Sequence, residues 1–124
     1  MVTRKGKKVS GGKYNKNRKK KRYELQGQRK IVRLSEGEKE KRKSDRTMGG
    51  NVKRSVLQAK YINISENGKT KKAIIKNVIE TPSNRFWARQ KIITKGTILE
   101  TDKGKVRVTS RPSQNGIING VLVE

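Results

Sequence analysis

Residues 94–112 read TKGTILETDKGKVRVTSRP, a stretch whose apolar and polar residues alternate as in a half-buried β-hairpin. GTILET and KVRVTS form its two strands around DKG, with Gly104 placed to take positive φ in a three-residue loop. Val106 and Val108 fall on the inward side. The outward side presents Lys105 and Arg107, with Lys95 and Arg111 at its ends, so the hairpin shows charge where an enzyme shows a site.

Working outward, residues 117–123, IINGVLV, are apolar at both parities, as expected for a strand covered on both sides with Gly120 at a bulge or bend. Upstream, VKRSVLQAKYINIS reads as one strand with Leu57, Ala59 and Tyr61 on one face and Gln58 and Lys60 on the other. Asn67-Gly68 marks a turn near 66–69, and TKKAIIKNVIE returns as its partner. In TPSNRFWARQ, Pro82 and Ser83 can open a helical turn that carries Phe86 and Trp87. Short strands with glycine-containing turns predict a mainly β fold, a small twisted β-barrel spanning 52–124.

The rest of the chain is of another kind. Residues 1–34 hold 14 Lys or Arg and one acid, Glu24, with no sustained apolar period. Nothing in that segment is expected to pack a core, and a basic extension without regular structure follows from its composition. Residues 35–51 read as a polar linker or a ribbon lying on a partner, because EGEKEKRKSDR has no apolar face at either period.

Of 124 residues, 29% are hydrophobic, and 34 Lys or Arg face 10 acids for a formal charge of +24. A magnitude of about 2–8 suffices to keep a small domain soluble. The excess calls for a polyanion, and nucleic acid is the commonest partner of so basic a small protein. Cysteine and histidine are absent, which removes disulfides, Cys/His metal sites, thiol nucleophiles and the commonest acid–base catalyst near neutrality. The carboxylates alternate with lysines or stand singly, a pattern of local charge compensation rather than of acids converging on a metal. No segment approaches the roughly 20 apolar residues of a membrane span. The chain reads as a soluble, cytoplasmic, non-enzymatic nucleic-acid binder that needs no cofactor, metal, membrane or small-molecule substrate and is not an autonomous homo-oligomer.

The candidate RNA-binding residues follow the charge. In the arm they are Lys5, Lys7, Lys8, Lys13, Lys16, Arg18, Lys19, Lys20, Lys21 and Arg22, with Tyr14 and Tyr23 among them. Each tyrosine either stacks on a base or packs on its own domain. In the ribbon and the strand after it they are Arg42, Lys43, Arg46, Lys53 and Arg54. The intervening MGGN is either a turn or a close backbone approach to phosphate at Gly49, Gly50 and Asn51. Arg85 and Arg89 flank Trp87, which is structural or base-stacking, while Phe86 is expected in the core. Lys95, Lys105, Arg107 and Arg111 complete the set on the barrel.

Four stretches, VSGGKY (9–14), KKKRYELQG (19–27), DRTMGGNVKR (45–54) and ITKGTILETDKGKVRVTSRPSQNGIINGVLVE (93–124), together resemble the small-subunit ribosomal protein S-eight-e family of archaea and eukaryotes, in its short archaeal form. The resemblance implies a structural constituent of the small ribosomal subunit, a β-barrel body, an RNA-penetrating N-terminal arm, rRNA and neighbouring ribosomal proteins as partners, and no catalysis. Two departures stand out. The family opens with a tryptophan-containing segment where this chain has MVTRKGKKV, and its RTRGGN is here RTMGGN, so Met48 lacks one expected phosphate contact. A related branch acts in ribosome assembly, which is the nearest alternative function; a free DNA-compacting protein is another.

Overall fold

The computed structural model describes residues 6–14, 18–25, 30–37, 39–66 and 68–123. Eight strands run along it: Arg33–Leu34 (β1), Lys41–Arg46 (β2), Val52–Ala59 (β3), Tyr61–Glu66 (β4), Lys69–Glu80 (β5), Ile98–Thr101 (β6), Gly104–Val108 (β7) and Asn119–Leu122 (β8). Two short helices, Arg85–Arg89 (α1) and Pro112–Asn115 (α2), interrupt the second half. The fold is mainly β, with β4 through β8 closing into a five-stranded barrel.

Barrel closure follows from alternation. Ile62 and Ile64 on β4, Ala73, Ile75 and Val78 on β5, Leu99 and Thr101 on β6, and Val106 and Val108 on β7 all turn inward and are buried. Successive strands pair antiparallel, and the last seam, β4 against β8, is parallel, which leaves the sheet without a free edge. On β5 the register shifts between Ile75 and Asn77 and again between Val78 and Glu80. Such bulges bend a strand, and this 12-residue strand must curve around the barrel.

The closing strand is not covered on both sides, as its apolar run suggested. Ile117 is exposed, Asn119 and Val121 look outward, and only Ile118 and Gly120 are buried. Gly120 is needed for close approach: a Cβ there would lie 2.5 Å from Val106 Cγ1 and 2.8 Å from the Arg107 carbonyl oxygen. Five strands make a narrow barrel, and β8 crosses it where no side chain fits.

In the opening hairpin, Thr101 pairs with Gly104, so the loop holds two residues, Asp102 and Lys103, and Gly104 (φ 117°) joins the ladder. The Thr101 hydroxyl donates to the Gly104 carbonyl oxygen at 2.8 Å and shortens the turn by one residue relative to the sequence expectation. The β4–β5 hairpin turns between Glu66 and Lys69 as expected, although Asn67 itself lies outside the described residues.

The second sheet departs further from the sequence reading. VKRSVLQAKYINIS is two strands, and β3 leaves the barrel to pair with β1 and β2 in the order β1-β3-β2. A bulge between the Lys41–Gln58 and Arg42–Val56 pairs, at Leu57, shifts the alternation, so Val56 and Ala59 are both buried where one parity put Leu57, Ala59 and Tyr61 inside. β2, placed in the polar linker by its lack of an apolar face, is a six-residue strand with exposed side chains except at half-buried Asp45. Backbone pairing to β3 suffices to make it. The body also begins earlier than the composition indicates: Val32 is fully buried, its carbonyl accepts the Ile93 N–H at 2.9 Å, and β1 pairs parallel with β3.

Candidate nucleic-acid interface

Three basic regions emerge from this framework. In the arm, the Lys7–Lys13 bridge and the Lys8 N–H to Gly12 oxygen bond of 2.8 Å close a tight turn around Gly11. Its lysines are exposed, and Lys8 Nζ lies 5.9 Å from the Tyr14 ring centroid. Arg22 opens a 3-10 turn, Arg22–Glu24, beside which Lys19, Lys20 and Lys21 are exposed. Tyr23, 76% exposed, has Lys21 Nζ 6.0 Å from its ring. Arg18 is different: its guanidinium donates to both Glu24 oxygens at 2.8 and 2.6 Å, and that hydrogen bonding to the carboxylate raises its pKa further. Lys5 and Lys16 lie outside the described residues.

The second region is the β2–β3 ribbon. Directly paired residues of an antiparallel ladder share a face. Lys43, Asp45, Lys53 and Ser55 therefore lie on one side, and Arg42, Ser44, Arg46 and Arg54 on the other. The first side is partly neutralised from within, since Lys30 Nζ reaches Asp45 Oδ2 and Ser55 Oγ, both at 2.5 Å. The second is rich in guanidinium, with Arg42 bonded to Glu40 at 2.7 Å and Arg46 exposed. Arg54 packs against Gly116 at the end of α2, which joins this face to the barrel.

At the ribbon's tip, MGGN is a turn. The Thr47 N–H and hydroxyl both donate to the Asn51 carbonyl oxygen, at 2.7 and 3.0 Å, and Asn51 Nδ2 donates to the Met48 carbonyl at 3.3 Å. Gly49 and Gly50 both adopt φ near 75°, conformations that glycine takes without strain. Space is open beside Gly50, and Met48 is 93% exposed, so the turn stands clear of the body.

The third region is the outer barrel wall. Lys105 and Arg107 point outward from β7, Lys95 sits in the turn before β6, and Arg111 precedes α2; all four are exposed and form no ion pair among the described residues. Arg85 and Arg89 are exposed on α1, whose cap is Asn84, accepting the Phe86 N–H at 2.9 Å, rather than Pro82 or Ser83. Phe86, expected inside, is 57% exposed with the Arg85 guanidinium 5.6 Å from its ring, whereas Trp87 is half-buried and Ala88 packs on the core. A five-residue helix can turn only one side inward, and Trp87 and Ala88 take it.

Sequence reasoning passed over several cations the structure exposes, among them Lys41, Lys69 and Lys72. Lys72 Nζ lies 3.8 Å from the Tyr61 ring centroid, a cation–π contact between adjacent strands that strand pairing alone would have signalled. Among the described residues, no three His, Cys, Asp or Glu side chains gather where they could hold a metal ion. The arrangement suits a polyanion: exposed cations on the arm, the ribbon and the barrel, with acids mostly engaged by neighbouring bases or backbone amides.

The chain is similar in sequence to known proteins. The chain matches the family described as "Ribosomal protein S8e" over residues 2–123. It is 44% identical over 119 residues to the small ribosomal subunit protein eS8 of Staphylothermus marinus, an alignment that covers 94% of this chain and 91% of that protein. The protein of the same name from Nanoarchaeum equitans is 42% identical with the same coverage. That from Ignicoccus hospitalis is 45% identical over 120 residues, covering 95% of this chain and 92% of its own.

Proposed function

The chain belongs to the ribosomal protein S8e family, and we propose that it works as a structural constituent of the small ribosomal subunit by neutralising and bracing folded small-subunit rRNA. The family's place in the small subunit sets the coarse role. The finer reading rests above all on the charge, +24 on a chain of 124 residues. Folded RNA brings phosphates of separate helices close together, and bound Lys and Arg replace the counterions that would otherwise screen them.

In this reading the arm runs between RNA helices, the Arg-rich side of the β2–β3 ribbon lies on phosphates, and the barrel docks through Lys95, Lys105, Arg107 and Arg111. Recognition is mainly of shape and backbone, because the deep major groove of A-form RNA hides its base edges. Tyr23 and Phe86, both exposed beside a cation, offer stacking surfaces to unpaired bases. No reaction is assigned, the partners are rRNA and neighbouring ribosomal proteins, and the location is the cytoplasm.

Gradient sedimentation of a cell lysate tests the proposal. The protein should travel with small subunits at constant ratio to their RNA. Co-migration with chromosomal DNA, or with large-subunit precursors only, would replace this reading with compaction or assembly.

A further inference from the structure

The outer wall of the barrel carries a groove of about 520 Å³ at the parallel β4–β8 seam. Its walls are Asn63, Ser65, Thr70, Thr109, Ile117 and Asn119, over Gly120 and Val121. None of these residues is charged, on a protein in which 35% of residues are. We propose that this groove receives the minor groove of an A-form RNA duplex and hydrogen-bonds its 2′-hydroxyls, a site that rests on the rRNA-binding reading and adds to it a specific way of telling RNA from DNA.

The chemistry of the wall carries the proposal. Asn63 Nδ2 donates to Asn119 Oδ1 at 3.3 Å, which leaves Asn63 Oδ1 and both Asn119 amide protons without a partner among the described residues. The Ser65 and Thr70 hydroxyls, paired across β4 and β5, make no hydrogen bond among the described residues. Hydroxyls and amides can both donate and accept, as a 2′-hydroxyl does. Phosphates would instead select cations, and these stand at the groove's ends: Lys72 is the cross-strand partner of Asn63, and Arg107 that of Val121.

Neutral hydrogen-bonding walls between two cations match the shallow minor groove, where 2′-hydroxyls and base edges lie between the two phosphate rims. A peptide adding as a β-strand finds no purchase, because every strand of the closed wall already has two neighbours. A neighbouring hollow shares Asn63 and Ile117 with the groove and is lined also by Arg42, Lys72 and Glu40, which brings the groove beside the ribbon.

The test measures binding of the full chain to three probes of about 16 base pairs: an RNA duplex, the same sequence as DNA, and the RNA with 2′-O-methyl groups. The unaltered chain should prefer RNA over both others. N63A/N119A should lower RNA affinity about tenfold, through two or so lost neutral hydrogen bonds, while leaving DNA affinity and the salt dependence unchanged. S65A/T70A, at the groove's other end, should act the same way and serves if the first pair does not fold. An unchanged RNA-to-DNA ratio in a folded variant would overturn the proposal, while a steep salt dependence would leave the phosphate-binding role standing. Loss of incorporation into small subunits with unchanged duplex preference would also overturn it and assign the groove to a neighbouring protein.

Discussion

The first 25 residues hold 11 Lys or Arg against one acid, whereas the barrel, residues 61–122, holds 12 against four in a segment more than twice as long. The two regions also close their contacts on different scales. In the arm Arg18 meets Glu24, six residues on, and Lys8 meets Gly12; in the barrel Asn63 meets Asn119, 56 residues away. The arm concentrates charge because it need not bury anything. The barrel dilutes charge to one face of each strand because the other face must be apolar, and that alternation gives its cations fixed positions. Density of charge and precision of placement are thus divided between the two regions.

Truncation separates them most sharply. A chain lacking residues 1–25 should lose on the order of a thousandfold in affinity for small-subunit rRNA near 0.15 M salt, with thermal unfolding unchanged. The cut must spare Lys30 and Val32, since one bonds Asp45 and Ser55 and the other is core. A cut after residue 34 would damage the body and blur the comparison.

The converse test is Gly120→Val. Its side chain would meet Val106, the Arg107 carbonyl and Ile62, so stability should fall by about 3 kcal/mol or more, read as a shift in urea midpoint. Arm contacts should be indifferent to it in any folded fraction. A change confined to one fixed cation, Arg107→Gln, should weaken rRNA binding a fewfold and reduce the slope of log K against log salt by about 1, with no change in melting. The smallest effect lies in the arm itself. Glu24→Gln releases Arg18, and binding should tighten slightly with a steeper slope, measured by the same titration. Weaker binding would mean that the Arg18–Glu24 pair shapes the arm for RNA.

How much of this was legible in the sequence differs between the same two regions. The barrel hairpins were readable because Val106 and Val108 alternate with polar residues and because glycines mark the turns. The family, too, was visible in the motifs of residues 93–124. What escaped was set by pairing rather than by pattern. β2 has no apolar face and exists through the ladder to β3, and the bulge at Leu57 changes parity in a way that no period shows. Val32 is a single apolar residue in a basic segment, buried because Ile93 and β3 come to it from far along the chain. At the site, the charges were plain, but which cations are already engaged was not: Arg18, Lys30 and Arg42 find acids within the protein. The neutral groove joins Asn63 to Asn119 only once the barrel closes.

The central claim is that an electrostatic arm and a rigid barrel act on one RNA through separable contributions. Titration of small-subunit rRNA with the full chain and with the chain lacking residues 1–25, each across a range of KCl concentrations, addresses it directly. Engagement of about 8–10 phosphates predicts a slope of log K against log salt on the order of −6 to −9 for the full chain and a slope shallower by at least about 3 for the truncated one. Equal slopes, or a full-chain slope shallower than about −3, would contradict the account.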